Sequence, residues 1–308
     1  MTSGLAAPPE RRLWVFNLDA ELELARESSS PYETPLPVRR ALATVVPHAR
    51  RLMAAGDLCL DPDPSAPPGA LTDALGEPRE PPPQAPLGAA WCPTPSALRR
   101  LARAGARLLP SPPLEVLRRV THRRFYLELG GGAPGARFVG GEAELSATLS
   151  AGDGPWLFKR PYGFAGRGQR RIGSAPSADD RRWLGDGLRQ GGLLAEPWLE
   201  LTLELSLHGL LEEQGRLALG HICVQQTDPH RAWLSTRRAQ PGELEPAHVA
   251  ALRERAEGVA AALSRAGYFG PFGIDAYLYR SPSGGVALNP LGELNARYTM
   301  GFPSGAPR

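Results

Sequence analysis

Lysine occurs once in this chain, at a position whose neighbours could bind phosphate. Lysine and arginine together number 35, and Lys159 is the only lysine among them. An ammonium is a compact, rotatable charge that can follow a phosphate, whereas a guanidinium is a planar fork that prefers a fixed partner. Backbone amides at Gly163, Gly166 and Gly168 could wrap phosphate oxygens without obstruction by Cβ atoms. The stretch therefore predicts a phosphate-binding loop over residues 159–168, with Lys159 as its counter-charge.

This loop matches neither of the common phosphate-binding motifs. No G-x-x-x-x-G-K-[ST] sequence occurs, and no helix is predicted to open directly from the loop, as a dinucleotide fingerprint requires. Taken alone, the loop is equally well interpreted as a basic hairpin turn or as an Arg- and Gly-rich segment that contacts RNA. The formal net charge of +3 is small for 308 residues and argues against a general nucleic-acid or membrane-surface binder.

Oxygen ligands for a metal ion are spaced along a predicted C-terminal hairpin. Asp275 lies in its first strand, and Glu293 and Asn295 lie two residues apart in its second, on one face. Two carboxylates and an amide oxygen suit Mg²⁺ that is shared with a nucleotide. Arg297 continues the same face, where a guanidinium could clamp a transferred phosphoryl group. The hairpin predicts a magnesium site beside a catalytic arginine, and a solvated acidic hairpin is the alternative.

The first third of the chain has the pattern of an α/β lobe. Residues 13–18 form a strand-type apolar run, and residues 38–55 have helical spacing that Pro47 breaks. The proline-rich segment 61–90 is predicted to be a loop that cannot contribute to a core. Residues 114–129 are predicted to form one helix that begins the next region.

The remaining elements have an α+β pattern that would orient the lysine and the hairpin. In the predicted strand 156–159, Trp156 and Phe158 share one face, so Lys159 points to the other, toward a cleft. Antiparallel strands over 193–226, a helix over 247–266 and the metal-binding hairpin follow. The fold class is therefore α/β followed by α+β.

The ordered set of these features resembles the ATP-grasp superfamily over roughly residues 111–301. The features are, in order, Lys159 before its glycine-rich loop, Glu196-Pro-Trp-Leu, Glu204-Leu-Ser, Asp275, and Glu293-Leu-Asn-Ala-Arg. The resemblance implies an ATP-grasp fold, in which two α+β subdomains clamp ATP, preceded by an α/β pre-ATP-grasp lobe. The expected boundaries are 1–110 for the lobe, 111–195 for the N-terminal subdomain and 196–308 for the C-terminal subdomain.

The resemblance also implies roles in binding ATP. Lys159 would contact the α and β phosphates, and the loop with Gly163, Gly166 and Gly168 would close over the triphosphate. The adenine edge would meet the carboxylate of Glu196 and the backbone of Trp198 and Leu199. The ribose hydroxyls would bind Glu204, since a carboxylate is a good acceptor for them.

The metal and catalytic roles follow in the same way, with one departure from the superfamily pattern. Mg²⁺, or Mn²⁺ as an alternative, would be held by Asp275, Glu293 and Asn295, and Arg297 would face the transferred phosphoryl group. Members generally carry a second nucleotide-binding lysine earlier in the grasp region. Here Thr121-His-Arg-Arg-Phe offers Arg123 or Arg124. We assign the contact to Arg124, with a solvated helix charge as the alternative.

The resemblance implies an ATP- and Mg²⁺-dependent carboxylate–amine ligase. Such an enzyme activates a carboxylate as an acyl phosphate, joins it to an amine as an amide or peptide bond, and releases ADP and phosphate. A grasp-type kinase and a non-catalytic ATP-binding regulatory module are the alternatives. The partners would be ATP and small-molecule or peptide substrates. The sequence leaves open which substrates these are and whether the protein forms a homo-oligomer.

The cysteine pattern and the hydropathy of the chain indicate a cytoplasmic setting. Cys59, Cys92 and Cys223 lie far apart and form no C-x-x-C pair, which argues against disulfides and thiolate metal sites. No apolar stretch reaches the roughly 20 residues that span a bilayer. We therefore expect neither a membrane nor a nucleic-acid partner.

Overall fold

A computed structural model describes residues 10–27, 30–63, 65–67, 69–151, 154–163, 167–227 and 233–307. The chain divides into two compact units. The first comprises Met1–Ala20 and Ser28–Ser111, and the second comprises Glu21–Glu27 and Pro112–Arg308. No described helix has the length and apolar character needed to cross a bilayer.

The first unit contains a five-stranded sheet in the order β4-β3-β2-β1-β5. Its strands are β1 (Arg12–Val15), β2 (Leu58–Leu60), β3 (Leu71–Thr72), β4 (Pro78–Arg79) and β5 (Leu87–Ala90). Strand β1 pairs in parallel with β2 and β5, whereas β3 and β4 are antiparallel additions. The α-helices up to residue 103 are α1 (Ala20–Leu24), which belongs to the second unit from Glu21 onward, α2 (Leu36–Ala43), α3 (Val46–Ala49) and α4 (Pro95–Arg103), with a 3-10 helix at Arg50–Leu52. The predicted α/β character and the break at Pro47 are confirmed.

The prediction that the segment 61–90 cannot contribute to a core is wrong. Strands β3 and β4 lie within it, and β5 ends it. Leu71 is 8% exposed and packs in a core cluster with Leu13 and Leu60. Pro78 lies in β4, the outermost strand of the sheet, and edge strands are where sheets tolerate proline. Proline is therefore compatible with this short sheet extension.

The second unit begins with a four-stranded antiparallel sheet in the order β6-β9-β7-β8. Its strands are β6 (Arg137–Val139), β7 (Trp156–Lys159), β8 (Gln169–Ile172) and β9 (Leu193–Pro197), and its helices are α5 (Leu114–Thr121), α6 (Arg123–Glu128), α7 (Glu142–Ser150) and α8 (Ala178–Arg189). Trp156 and Phe158 of β7 enter a buried cluster with Leu145 of α7 and Leu184 of α8. Two helices thus cover one face of this sheet and leave the Lys159 face for the cleft.

The predicted single helix over residues 114–129 is two helices. His122 between them is extended, with ψ 130°, and its Nδ1 accepts a hydrogen bond from the backbone N–H of Arg124 at 3.1 Å. A side-chain acceptor at this position satisfies one of the unpaired N–H groups that begin a helix. The break rotates the start of α6, which determines where Arg123 points.

A five-stranded antiparallel sheet in the order β12-β11-β10-β13-β14 completes the second unit. Its strands are β10 (Leu201–Leu211), β11 (Leu217–Thr227), β12 (Trp233–Arg238), β13 (Gly270–Arg280) and β14 (Val286–Asn295), with helices α9 (Pro246–Arg265) and α10 (Phe302–Gly305). Helix α9 packs against β10, β11 and β14. Strands β13 and β14 are the predicted metal-binding hairpin, with Asp275 opposite Glu293 and Gly273 opposite Asn295.

Candidate functional site

A cleft of about 240 Å³ in the second unit collects most of the chemically notable residues. Strand β7, the loop that follows it and one face of the five-stranded sheet line the cleft. Of the residues predicted from sequence, the lining contains Lys159, Gly163, Glu204, Asp275, Glu293, Asn295 and Arg297. Residues that are more than 130 positions apart in the chain therefore share one cavity.

Lys159 lies in this cleft between two carboxylates. Its Nζ is 2.7 Å from Glu196 Oε2 and 3.5 Å from Glu293 Oε2, and its side chain is 10% exposed. Burial lowers the pKa of Lys159, but the charges of Glu196 and Glu293 outweigh burial and raise that pKa above its ordinary value. The lysine is therefore a charged ammonium at neutral pH, as a phosphate contact requires.

Glu196 lies behind Lys159 and outside the cleft lining. Its Oε1 accepts a hydrogen bond from the backbone N–H of Ala133 at 3.0 Å while Oε2 contacts the lysine. The backbone N–H of Trp198 donates to the carbonyl of Pro155 at 3.0 Å, and neither Trp198 nor Leu199 lines the cleft. The structure thus shows Glu196 as an anchor for Lys159. Contact of these three residues with adenine stays a prediction.

The glycine turn that carries Ala133 is closely packed against Glu196. Gly132 has φ +84°, and a Cβ there would lie 3.0 Å from Ala136 Cβ and 3.1 Å from Glu196 Oε1. Asn289 Nδ2 donates to the carbonyl of Gly132 at 2.7 Å, which ties this turn to β14. The turn thus links the predicted metal-binding hairpin to the anchor of the lysine.

We expect Gly132→Ala to destabilise the protein by about 2–4 kcal/mol, because it combines a left-handed backbone with steric crowding. Gly242→Ala is the matched control, since Gly242 has φ +80° and nothing lies within 4 Å of a Cβ added there. That control should lose only about 1–2 kcal/mol from backbone strain. Urea unfolding of both variants measures the difference. Equal losses would contradict the packing of Gly132 against Glu196.

Of the two arginines at the start of α6, Arg123 and not Arg124 lines the cleft. Arg123 is buried and donates to Glu293 Oε1 at 2.9 Å and to the carbonyl of Arg160 at 2.6 Å. Arg124 is exposed, and its guanidinium lies over the ring of Phe138 at 4.1 Å. Neighbouring residues on a helix point about 100° apart, and here Arg123 faces the cleft while Arg124 faces Phe138. Arg124 therefore lies outside the cleft, which corrects our assignment of the phosphate contact to it, and Arg123 becomes the candidate for that contact.

The glycine-rich loop is described at both ends. Gly163 lines the cleft, and a Cβ there would lie 2.8 Å from both Arg123 Nη1 and the carbonyl of Arg167. The carbonyl of Gly168 accepts a hydrogen bond from the N–H of Arg160 at 2.7 Å, and Gly168 is outside the lining. Gly166 falls outside the described residues. A glycine is thus required at 163 by close packing, whereas Gly168 closes the base of the loop.

The hairpin brings its three predicted ligands together on one sheet face. Asn295 Nδ2 donates to Asp275 Oδ2 at 3.0 Å, and Gln225 Nε2 donates to Asp275 Oδ1 at 2.6 Å. Burial, followed by the charge of Glu293, raises the pKa of Asp275 to about 6. Burial also raises the pKa of Glu293, but the charges of Arg123 and Lys159 outweigh it and bring that pKa down to about 2. Glu293 is thus neutralised by cations, whereas Asp275 is held by amides.

The donor set of this hairpin fits a hard divalent cation. Within the described ranges no three His, Cys, Asp or Glu side chains lie together in a way that could hold a metal ion. The third protein ligand of a metal at this hairpin would therefore be the amide oxygen of Asn295. In the same ranges Asp275 forms no ion pair within 4.0 Å. A carboxylate with a raised pKa beside a second carboxylate gains from a nearby cation. Mg²⁺ would be held by Asp275, Glu293 and Asn295.

Glu204 and Arg297 occupy two further parts of the lining. Glu204 Oε1 accepts a hydrogen bond from Thr227 Oγ1 at 2.6 Å, which holds the carboxylate at the cleft. Arg297 Nε donates to Glu21 Oε1 at 2.5 Å, and its Nη1 donates to the carbonyl of Tyr298 at 2.9 Å. Glu21 was missed by the sequence reasoning, because nothing local links it to a residue 276 positions later.

Comparisons with known proteins add the identity of the fold. No protein-family model and no curated protein matches this sequence. Among solved structures, a biotin carboxylase complex with βγ-ATP from Campylobacter jejuni matches with a TM-score of 0.50 and 14% identity, covering 67% of this chain and 46% of that chain.

Two further solved structures are similar. The biotin carboxylase domain of the Hydrogenobacter thermophilus 2-oxoglutarate carboxylase, in complex with MgADP, ADP and bicarbonate, has a TM-score of 0.49 and 15% identity, covering 67% of this chain and 46% of that chain. N5-carboxyaminoimidazole ribonucleotide synthetase from Thermus thermophilus has a TM-score of 0.47 and 20% identity, covering 69% of this chain and 55% of that chain. This chain therefore spans about half the length of the solved structures that it matches.

The chain has the ATP-grasp fold, with mixed α/β content and several sheets, as the sequence predicted. At these identities the likeness concerns the fold, and the chemistry has to be argued from the residues of the cleft.

Proposed function

We propose that this protein is an ATP- and Mg²⁺-dependent ligase that activates a carboxylate as an acyl phosphate and joins it to an amine. The observation that supports this proposal is the single cleft in which Lys159, the Asp275–Glu293–Asn295 hairpin and Arg297 meet. A cleft with cationic groups on one side and metal ligands on the other suits a nucleoside triphosphate.

We propose the domain organisation that the resemblance implies, with the exception that Glu21–Glu27 belongs to the second compact unit. Residues 1–110 would be the pre-ATP-grasp lobe, 111–195 the N-terminal ATP-grasp subdomain and 196–308 the C-terminal subdomain. The four-stranded sheet would supply Lys159 and the loop over the phosphates, while the five-stranded sheet would supply the metal ligands. The biotin carboxylase from Campylobacter jejuni was solved as a complex with βγ-ATP, and we carry nucleotide binding to this chain as part of the proposal.

The residues of the cleft would act mainly by electrostatics and positioning. Lys159 and Arg123 would neutralise the phosphates, Gly163 would let the loop approach them, and Glu204 would accept hydrogen bonds from the ribose hydroxyls. A bound Mg²⁺ would offset the negative charge of the phosphates. Arg297 would stabilise the charge of the phosphoryl group during transfer.

The reaction would proceed in two steps. A carboxylate oxygen of the substrate attacks the γ-phosphorus, the bond to the β-phosphate oxygen breaks, and ADP leaves with the electron pair. The amine then attacks the acyl carbon, and phosphate leaves as the amide forms and the amine gives up a proton. Closure of the loop over the cleft would exclude water, which would otherwise hydrolyse the acyl phosphate.

The test is turnover with pooled substrates. Incubation with ATP, Mg²⁺, carboxylates and amines should yield ADP and phosphate, and ¹⁸O from a labelled carboxylate should be found in the released phosphate. AMP as the product would overturn the acyl-phosphate route. A stable phosphorylated product that accumulates over many turnovers without any amine would favour a grasp-type kinase, and nucleotide binding without turnover would favour a regulatory module.

A further inference from the structure

Arg297 of the cleft is held by a carboxylate from near the start of the chain. Its Nε lies 2.5 Å from Glu21 Oε1, and the two side chains are 10% and 3% exposed. An Nε contact of this kind fixes the plane of the guanidinium, since the group is rigid and planar. A second anchor runs from Nη1 to the carbonyl of Tyr298. Arg297 is therefore held at two of its nitrogens.

The segment that carries Glu21 is itself fastened within the second unit. Residues Glu21–Glu27 belong to that unit, and Arg118 of α5 donates through Nε to the carbonyl of Leu24 at 3.2 Å and through Nη2 to the carbonyl of Arg26. Helix α5 thus anchors the segment that carries Glu21, whereas Arg297 lies just after the end of β14.

The pair is poorly explained as a device for stability. Glu21 Oε2 is buried and has no hydrogen-bond partner within the described part of the chain. A buried carboxylate with one unpaired oxygen carries a desolvation cost, and buried ion pairs are often no more stabilising than well-packed apolar residues. Arg297 lines the cleft that also contains Asp275 and Glu293, so its guanidinium faces the proposed site of phosphoryl transfer.

We propose that Glu21 is a positioning residue for the phosphoryl transfer, one that holds the Arg297 guanidinium against the transferred group. The inference rests on the proposed function. Glu21 itself would not touch ATP or the carboxylate substrate, since it is absent from the cleft lining. Its role would be to keep Arg297 aligned as charge develops, when a small misplacement is most costly.

The test compares Glu21→Gln with wild type in the full chain. We expect kcat to fall about 10- to 100-fold while KM for ATP changes by less than about threefold, because alignment is lost in the transition state and not in the ground state. Glu21→Asp keeps the charge but retracts it, and should lose less. Because Arg297 and Glu21 would act as one unit, Glu21→Gln combined with Arg297→Ala should be no slower than Arg297→Ala alone.

Glu212→Gln is the control, since Glu212 forms an exposed pair with Arg216, and its kcat should equal that of wild type. Melting curves identify the folded fraction of each variant, and Glu21→Asp decides the matter if Glu21→Gln does not fold. Wild-type kcat in a folded Glu21 variant, or additive losses in the double variant, would overturn the positioning role alone. If the wild-type protein does not turn over ATP, the proposed function and this inference are both overturned.

Discussion

Lys159→Arg is expected to bind MgATP about 10- to 100-fold more weakly than wild type, a loss of about 1.4–2.8 kcal/mol in binding free energy. The ammonium lies between Glu196 at 2.7 Å and Glu293 at 3.5 Å, with only a tenth of its side chain exposed. A guanidinium is larger and would prefer a fixed bidentate contact with one of these carboxylates over a contact with phosphate. Glu293 already accepts a hydrogen bond from Arg123, so the space beside it is occupied.

Isothermal titration calorimetry with a non-hydrolysable ATP analogue and Mg²⁺ measures this affinity. Arg170→Lys is the matched reverse substitution, because Arg170 pairs with Asp179 and Asp180 outside the cleft lining. It should leave nucleotide affinity within about twofold, since partly exposed ion pairs contribute little. Full affinity in Lys159→Arg would mean that the single lysine has no special function.

Local patterns predicted the parts of the site that depend on strand alternation. Period-two alternation places Trp156 and Phe158 in the core and Lys159 on the cleft face, and the structure agrees. The same rule places Glu293 and Asn295 on one face of β14, where the register sets Asp275 opposite Glu293. Such residues are predictable because hydrogen bonding within one sheet fixes their neighbours.

Contacts between elements that are distant in sequence were not predictable in this way. The choice between Arg123 and Arg124 depends on the helix break at His122, which helical periodicity does not reveal. The pairing of Glu196 with Lys159 depends on the register of β7 against β9. That register sets Lys159 opposite Leu194 and Glu196 opposite Leu157, so the two charged residues meet only diagonally. Tertiary packing therefore decides both which arginine faces the cleft and which carboxylate pairs with Lys159.

The two carboxylates of the proposed metal-binding hairpin should be equally necessary for turnover. We expect Asp275→Asn and Glu293→Gln each to reduce ATP turnover by at least about 10³-fold, because a charged ligand of the phosphate-bound metal is lost in each case. Steady-state release of ADP with saturating Mg²⁺ measures this effect. Turnover within tenfold of wild type in either variant would mean that the metal site lies elsewhere.

In metal-free protein at pH 7, Asp275→Asn and Glu293→Gln should change the free energy of unfolding in opposite directions. If both abolish turnover, this contrast shows that the common loss of activity does not come from a common loss of stability. The pKa of Asp275 is raised from 3.8 to about 6, so the charged carboxylate destabilises the folded protein. This loss of stability begins as the pH rises above 3.8 and reaches its full size above about pH 6. Asp275→Asn should therefore stabilise the protein by at most about 2 kcal/mol. The gain is limited because Asp275 is partly exposed and because the asparagine loses one acceptor oxygen for Gln225 or Asn295.

Glu293→Gln should instead destabilise the protein by about 3 kcal/mol, because it leaves Arg123 and Lys159 with one fewer carboxylate in a buried cluster. The pKa of Glu293 is lowered from 4.5 to about 2, so its stabilising effect is present above about pH 4.5 and is lost as the pH falls through about 2. Melting temperatures in EDTA at pH 7 and pH 4.5 measure both effects.

The stability gained by Asp275→Asn should shrink at the lower pH, while the stability lost by Glu293→Gln should persist. Changes of the same sign at pH 7 would show that cations do not neutralise Glu293 selectively, and would remove the electrostatic basis for assigning Asp275 to the metal.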